Sequence, residues 1–166
     1  KAISDETLIR VEVNNAPNRT VYPQMADFTF YGGLYRNVSI IGVPESHFDL
    51  TTNGTPGIHV DATVEGEDGR ARVKVFTTDR KEGQSIRYTL LDAEGNTVAT
   101  QICTDTKATF DIENAHLWNG RKDPYLYTMT AELLENGDVL DTVSTRFGCR
   151  SFEIHPENGF ILNGEE

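Results

Sequence analysis

Paired carboxylates are the first chemistry to look for in this chain. Two of them held roughly 5–10 Å apart, one with a raised pKa, can serve as acid and base or as acid and nucleophile across a bond. The 166 residues include 26 Asp plus Glu, so some pair falls close together in any fold. Most stand at outward strand positions or in turns, as Glu65, Glu67, Asp68, Glu82 and Asp92 do, and these read as a solvated face. The four histidines, His47, His59, His116 and His155, have no partner two or four residues away, which argues against a metal site. No Gly-x-Ser-x-Gly presents a serine nucleophile. No glycine pattern for binding phosphates occurs either. Asp92-Ala93-Glu94-Gly95-Asn96 echoes a calcium loop but lacks the downstream ligands and reads as a hairpin turn. Asn18-Arg19-Thr20, Asn37-Val38-Ser39 and Asn53-Gly54-Thr55 are sequons near chance frequency, and Asn37 falls within a predicted strand. Cys103 and Cys149 show no metal-ligand spacing. They read as two buried free thiols, with a single disulfide as the alternative.

The elements that would hold these residues are strands. Residues 71–76, 85–90 and 108–112 alternate apolar and polar at period two, which sends one row into a core and the other into water. Asn136-Gly137 between two such runs marks a tight hairpin, because both residues tolerate positive φ. Strands are expected at 58–64, 71–77, 85–91, 97–103, 108–112, 125–134 and 139–147. No sustained helical period is present. Seven short strands at this spacing predict an all-β fold, an immunoglobulin-like seven-stranded β-sandwich. The inward rows would be Val73 and Val75; Ile86, Tyr88 and Leu90; Phe110 and Ile112; Tyr127, Met129 and Leu133; then Val139, Val143 and Phe147.

The first part of the chain reads differently. Residues 8–13, 28–31 and 34–43 have strand character, but three strands are too few to close a sandwich. Their unpaired edges would lie across the sandwich or lead to self-association. A boundary is expected between Pro44 and Phe48. The formal net charge of −11 lacks the basic footprint of a nucleic-acid binder. No apolar run reaches the roughly 18 residues of a membrane-spanning helix. Lys1-Ala2-Ile3 shows no signal-peptide pattern, and cytoplasmic, periplasmic and secreted locations all stay open. Trp118, Tyr125 and Tyr127 could stack on sugar rings, as in a stand-alone carbohydrate-binding module. The alternative reading has Trp118 plugging the end of the sandwich and Tyr127 as a core or corner tyrosine bonded to backbone. A cell-surface adhesion sandwich would also account for the strands.

Three regions are more specific. Asp27-Phe28-Thr29-Phe30-Tyr31-Gly32-Gly33-Leu34-Tyr35-Arg36-Asn37-Val38 resembles the motif that ends the sugar-binding jelly-roll domain of glycoside hydrolase family 2, its β-galactosidase group in particular. Leu117-Trp118, Asp123-Pro124-Tyr125-Leu126-Tyr127 and Arg146-Phe147-Gly148 resemble the second half of that family's immunoglobulin-like domain. Phe160-Ile161-Leu162-Asn163-Gly164 resembles its lead into a catalytic (β/α)8 barrel. The resemblance implies residues 1–46 as the last strands of an incomplete jelly roll, 47–155 as the sandwich, and 156–166 as the lead-in to a missing barrel. It implies a parent that cleaves terminal β-linked sugars with retention, through two glutamates on the barrel. The first of those follows an Asn; this chain has no Asn-Glu dipeptide, so no residue here inherits a catalytic role. Asp27 matches the position that reaches into the family's active site to hold substrate hydroxyls and, in some members, a cation. The resemblance therefore implies that Asp27 binds substrate in the parent only. No cofactor is expected for the chain itself, and a monovalent cation or Mg2+ for the parent. The implied partners are the barrel, the rest of the sugar-binding domain and a carbohydrate. Gly32 and Gly33 suit a tight bend or close packing, and Arg36 an ion pair within the same fold.

Overall fold

The computed structural model describes residues 8–20, 31–34, 36–52 and 54–165. The chain divides into two units, Lys1–Gly42 and Val43–Glu166.

The second unit is all-β. Its strands are β1 (His47–Phe48), β2 (Ile58–Glu65), β3 (Asp68–Val75), β4 (Thr77–Thr78), β5 (Ser85–Leu91), β6 (Thr97–Cys103), β7 (Lys107–Ile112), β8 (Tyr127–Glu135), β9 (Asp138–Phe147), β10 (Phe152–His155) and β11 (Gly159–Leu162). Seven of them form a sandwich, one sheet ordered β2-β3-β7 and the other β6-β5-β8-β9, antiparallel throughout. β1 pairs with β4, and β10 with β11. The expected strands are all present, with ends shifted by three residues at most.

Period-two alternation produces the core directly. Along β3 the residues are alternately exposed and buried, so Ala71, Val73 and Val75 point inward. Ile86, Tyr88 and Leu90 from β5 meet Met129, Ala131 and Leu133 from β8 across the ladder, all fully buried. Each such large side chain contributes about 1.5–3 kcal/mol on burial. Tyr88 carries a hydroxyl into this core; it donates to the carbonyl of Asp105 at 3.1 Å, and burial pushes its phenol well above the usual range. The β8–β9 turn has Asn136 at φ 52° and Gly137 at φ 93°, the two positive values that a type I′ hairpin requires.

One inward residue was misassigned. Leu133 faces Asp141, but Leu134 faces Val139, so β9 carries one extra residue, Leu140. A one-residue shift exchanges the two faces of a strand. Val139 is consequently exposed, and Leu140 packs against the core in its place. Cys149 is buried and Cys103 only half-buried; both are free, so neither the disulfide nor a buried Cys103 is found.

The first unit departs further from expectation. Residues 8–13, 31, 34 and 36–43 form no strand; 28–30 lie outside the described residues. Leu8, Ile9, Val11, Val13, Ile40 and Ile41 are exposed. Strand character becomes a strand only where a partner ladder and a covered face exist, and the described residues offer these segments neither. The open strand edges expected there are therefore absent among the described residues. Gly33 does make a bend, with φ 97°, and the Asn15 side chain packs where a Gly32 side chain would start.

The bulge makes a paired prediction. Ile86→Ala, which empties a fully buried site, should cost about 2–5 kcal/mol in urea unfolding. Val139→Ala should stay within about 0.5 kcal/mol, as an exposed position does. Comparable losses for the two would contradict the observed β9 register.

Candidate functional site

Trp118, Tyr125, Tyr127 and Gly148, all singled out by sequence, converge at one end of the sandwich. Between β7 and β8 the chain is pinned by Asn114, at φ 47°, whose amide donates to Asp68 Oδ1, and by the Ala115 amide, which donates to the Glu67 carbonyl. It then runs beside the end of β9, where Leu117 bridges Cys149 and the Trp118 amide donates to the Cys149 carbonyl at 2.8 Å. The approach is close enough that a Cβ on Gly148 would sit 2.6 Å from the Trp118 Cβ. Asn119 and Asp123 close the following turn.

Tyr127 is buried, and its hydroxyl accepts the His116 amide at 2.9 Å. That is the corner tyrosine foreseen for it. Tyr125 packs edge-on against Tyr127 and lies flat on the His116 ring, centroids 3.8 Å apart. His116 Nε2 lies 2.7 Å from Asp123 Oδ2. Trp118 is half-buried, and the Arg150 guanidinium lies 5.1 Å from its ring centroid. Each of the three aromatics proposed as a sugar platform is thus engaged with the protein itself. The His116–Tyr125 stack, its Asp123 partner and the Arg150–Trp118 contact were not legible beforehand. The first two are contacts within the irregular β7–β8 loop and the third joins that loop to the residue run after β9, and no periodicity marks any of them.

Five carboxylates, Glu132, Asp111, Glu45, Asp92 and Asp49, are held ionised by their partners. Arg87 forks onto Glu132 with contacts of 2.6 and 2.9 Å, and this holds Glu132 below its usual range. Arg70 does the same to Asp111 and Lys81 to Glu45, each at 2.6 Å. Asn96 holds Asp92 down within its hairpin turn. The hydroxyls of Thr52 and Thr51 bring Asp49 down to about 2. An acid catalyst needs the opposite displacement. A groove of about 450 Å³ between Glu65, Asp68, Arg70, Arg72 and Asp111 is lined with such paired charges. A second, of about 370 Å³, lies between Asp61, Arg146, Arg150 and Phe152. Among the described residues no group of three His, Cys, Asp or Glu could hold a metal ion. Asp27 lies outside the described residues, so its surroundings carry no structural statement.

This fold, two antiparallel sheets with a corner tyrosine, defines an immunoglobulin-type sandwich domain. Comparison with known proteins gives the family. Residues 51–150, the body of the sandwich, match glycosyl hydrolases family 2. A β-glucuronidase of Bacteroides fragilis is 26% identical over 97% of this chain and 25% of its own length. The β-galactosidase large subunit of Lactobacillus helveticus is 30% identical over 84% of this chain and 22% of its own. Among solved structures, the FMN-binding β-glucuronidase from Facaelibacterium prausnitzii L2-6 superposes with a TM-score of 0.82 at 37% identity, over 87% of this chain and 23% of that one. The chain belongs to glycosyl hydrolases family 2, and it spans about a quarter of the length of these relatives.

Two measurements check the electrostatics. Asp49 titrates lower folded than unfolded, so its stabilising contribution is complete above about pH 4 and disappears as pH falls through about 2. Asp49→Asn should therefore unfold at lower urea than the native chain at pH 7, with the gap closing between about pH 4 and 2. A gap that widened toward acid would contradict the assignment. Burial pushes the Cys149 thiol up to about 11. Ellman's reagent should accordingly titrate Cys103 alone in the native chain and both thiols after unfolding; fast native labelling of both would show Cys149 to be accessible.

Proposed function

We propose that this chain serves as the non-catalytic, orienting part of a longer retaining β-glycosidase. In that role the sandwich sets the spacing between a sugar-binding domain and a catalytic barrel. A site assembled from two domains tolerates misplacement of only about 1 Å before rate is lost. One observation carries the reading: the buried polar side chains among the described residues, Ser46 and Gln84, both sit where the chain enters the sandwich. Ser46 Oγ donates to the Asp79 carbonyl at 2.7 Å, and Gln84 Nε2 donates to Ser46 Oγ and to Glu135 Oε1. The Phe48 amide donates to Asp141 Oδ2 at 2.8 Å. At the other end Asn163, at φ 52°, accepts the Ser151 amide and donates to the Trp118 carbonyl. Buried, fully satisfied polar contacts fix one geometry where apolar packing alone would allow several.

The relatives' names offer galactosides and glucuronides as substrates of the longer enzyme. Asp27 would there reach the substrate hydroxyls, and a monovalent cation or Mg2+ with them, because a carboxylate both accepts hydroxyl hydrogen bonds and offers hard oxygen ligands. The 166-residue chain should release no chromophore from nitrophenyl β-galactoside or β-glucuronide. In the longer enzyme, Asp27→Ala should cut kcat/KM by about 10-fold or more, the scale of losing one charged contact. Turnover by the short chain that survives re-purification would overturn the non-catalytic reading; an unchanged Asp27→Ala enzyme would remove Asp27 from the site.

A further inference from the structure

The outer face of the β2-β3-β7 sheet carries its charges in order. Cross-strand pairing sets His59, Lys74 and Lys107 side by side in one row, one from each strand. At the far end of the same face stand Glu65, Asp68 and Glu113, again one from each strand or its end. All six are exposed. Between the two rows Arg72 pairs with Asp61 at 3.7 Å and Arg70 with Asp111 at 2.6 Å, so the middle of the face is neutral. Among the described residues, none of the six at the two ends forms an ion pair.

Like charges directly opposite each other on neighbouring strands destabilise a sheet. Lys74 and Lys107 are such a pair, and so are Glu65 and Asp68. In a chain with 26 acidic and 15 basic side chains, a lysine row without carboxylates is not a matter of supply. Lys74 Nζ lies 4.5 Å from the Phe76 ring centroid instead. The acidic end is concave: Glu65, Asp68 and Glu113 line the groove of about 450 Å³. A two-fold axis lying along the rows, between Arg70 and Arg72, turns each end of this face onto the other. It sets His59 against Glu65, Lys74 against Asp68 and Lys107 against Glu113 of a second copy. Each pair then occurs twice, once on either side of the axis, as a two-fold contact requires. The guanidinium groups nearest the axis keep their own carboxylates. The face is its own electrostatic complement.

We propose that the outer face of β2-β3-β7 binds a second copy of this chain, the basic row of each copy seated on the acidic row of the other. This association stands whether or not the longer chain is a glycosidase. It is weak. Three strands about 4.8 Å apart offer a face of roughly 300 Å² on each copy, the scale of a transient complex. Exposed ion pairs each add little. The net charge of −11 on each copy opposes the approach. At 0.15 M salt that repulsion is screened beyond about 8 Å, while pairs in contact persist.

Sedimentation equilibrium of the 166-residue chain tests this. A monomer–dimer equilibrium should appear below about 1 mM protein at 0.15 M salt, and 1 M salt should weaken it at least about 10-fold. K107E sets like charges against each other at two contacts of the dimer, and E113K does so with the opposite sign. Each alone should weaken association at least about 10-fold. An equimolar mixture of the two should restore it to within about 3-fold of the native chain, because each reversed residue then meets its opposite. Both sites are exposed, so each variant should melt within about 2 °C of the native chain. Should either unfold it, K107Q and E113Q replace them, and each is then expected to weaken the dimer. A chain that stays monomeric up to about 1 mM overturns the proposal. So does a dimer that neither variant weakens, which would put the second copy on another surface, and so does a mixture of K107E and E113K that stays apart.

Discussion

No side chain fits between residue 148 and Trp118. A Cβ there would meet the tryptophan's own Cβ at 2.6 Å and its Cγ at 3.0 Å, so the Trp118 side chain already fills the space. Much of one end of the sandwich depends on that contact. It lets the loop after β7 run beside the end of β9, so that the Trp118 amide reaches the Cys149 carbonyl. Residue 69, also glycine, makes room in the same way for Ala115 and the Cys149 sulfur. With the two backbones joined, Arg150 falls over the Trp118 ring and Asn163 can reach the Trp118 carbonyl. A larger residue at 148 would have to push the loop away, and overpacking of this kind typically costs about 1–3 kcal/mol.

The sandwich was legible because its information is local. β3, β5 and β7 alternate cleanly, and Asn136-Gly137 states its turn in two letters. Val139 shows where that reading stops. A bulge is a property of two strands together, and nothing in the β9 sequence says that Leu140 is the extra residue. The first unit shows the same limit more severely. Residues 36–43 have the strand character of β9, yet form no strand, because a ladder depends on a partner and not on the segment itself.

The site was legible in its parts and not in its assembly. Gly148, Trp118, Tyr125, Tyr127 and Asn163 all stood in the segments that resemble the family. Tyr127 was read as a core or corner tyrosine bonded to backbone, and its hydroxyl does accept a backbone amide, that of His116. Gln84 and Ser46 gave no signal: each is an ordinary polar residue near a turn, and only burial reveals that their hydrogen bonds fix how the chain enters.

The extra residue in β9 has a consequence beyond exchanging two side chains. β9 is the last strand of its sheet, and its outer edge carries backbone groups with no neighbouring strand in that sheet. A long, regular edge is a template on which a foreign strand can grow. The bulge at Leu140 breaks the spacing of donors and acceptors along that edge and increases the local twist, so an incoming chain keeps register for only a few residues. It also leaves Asp141 placed to accept the Phe48 amide, setting a charge beside the same stretch. One inserted residue thus guards the sheet against aggregation while it anchors the start of the domain.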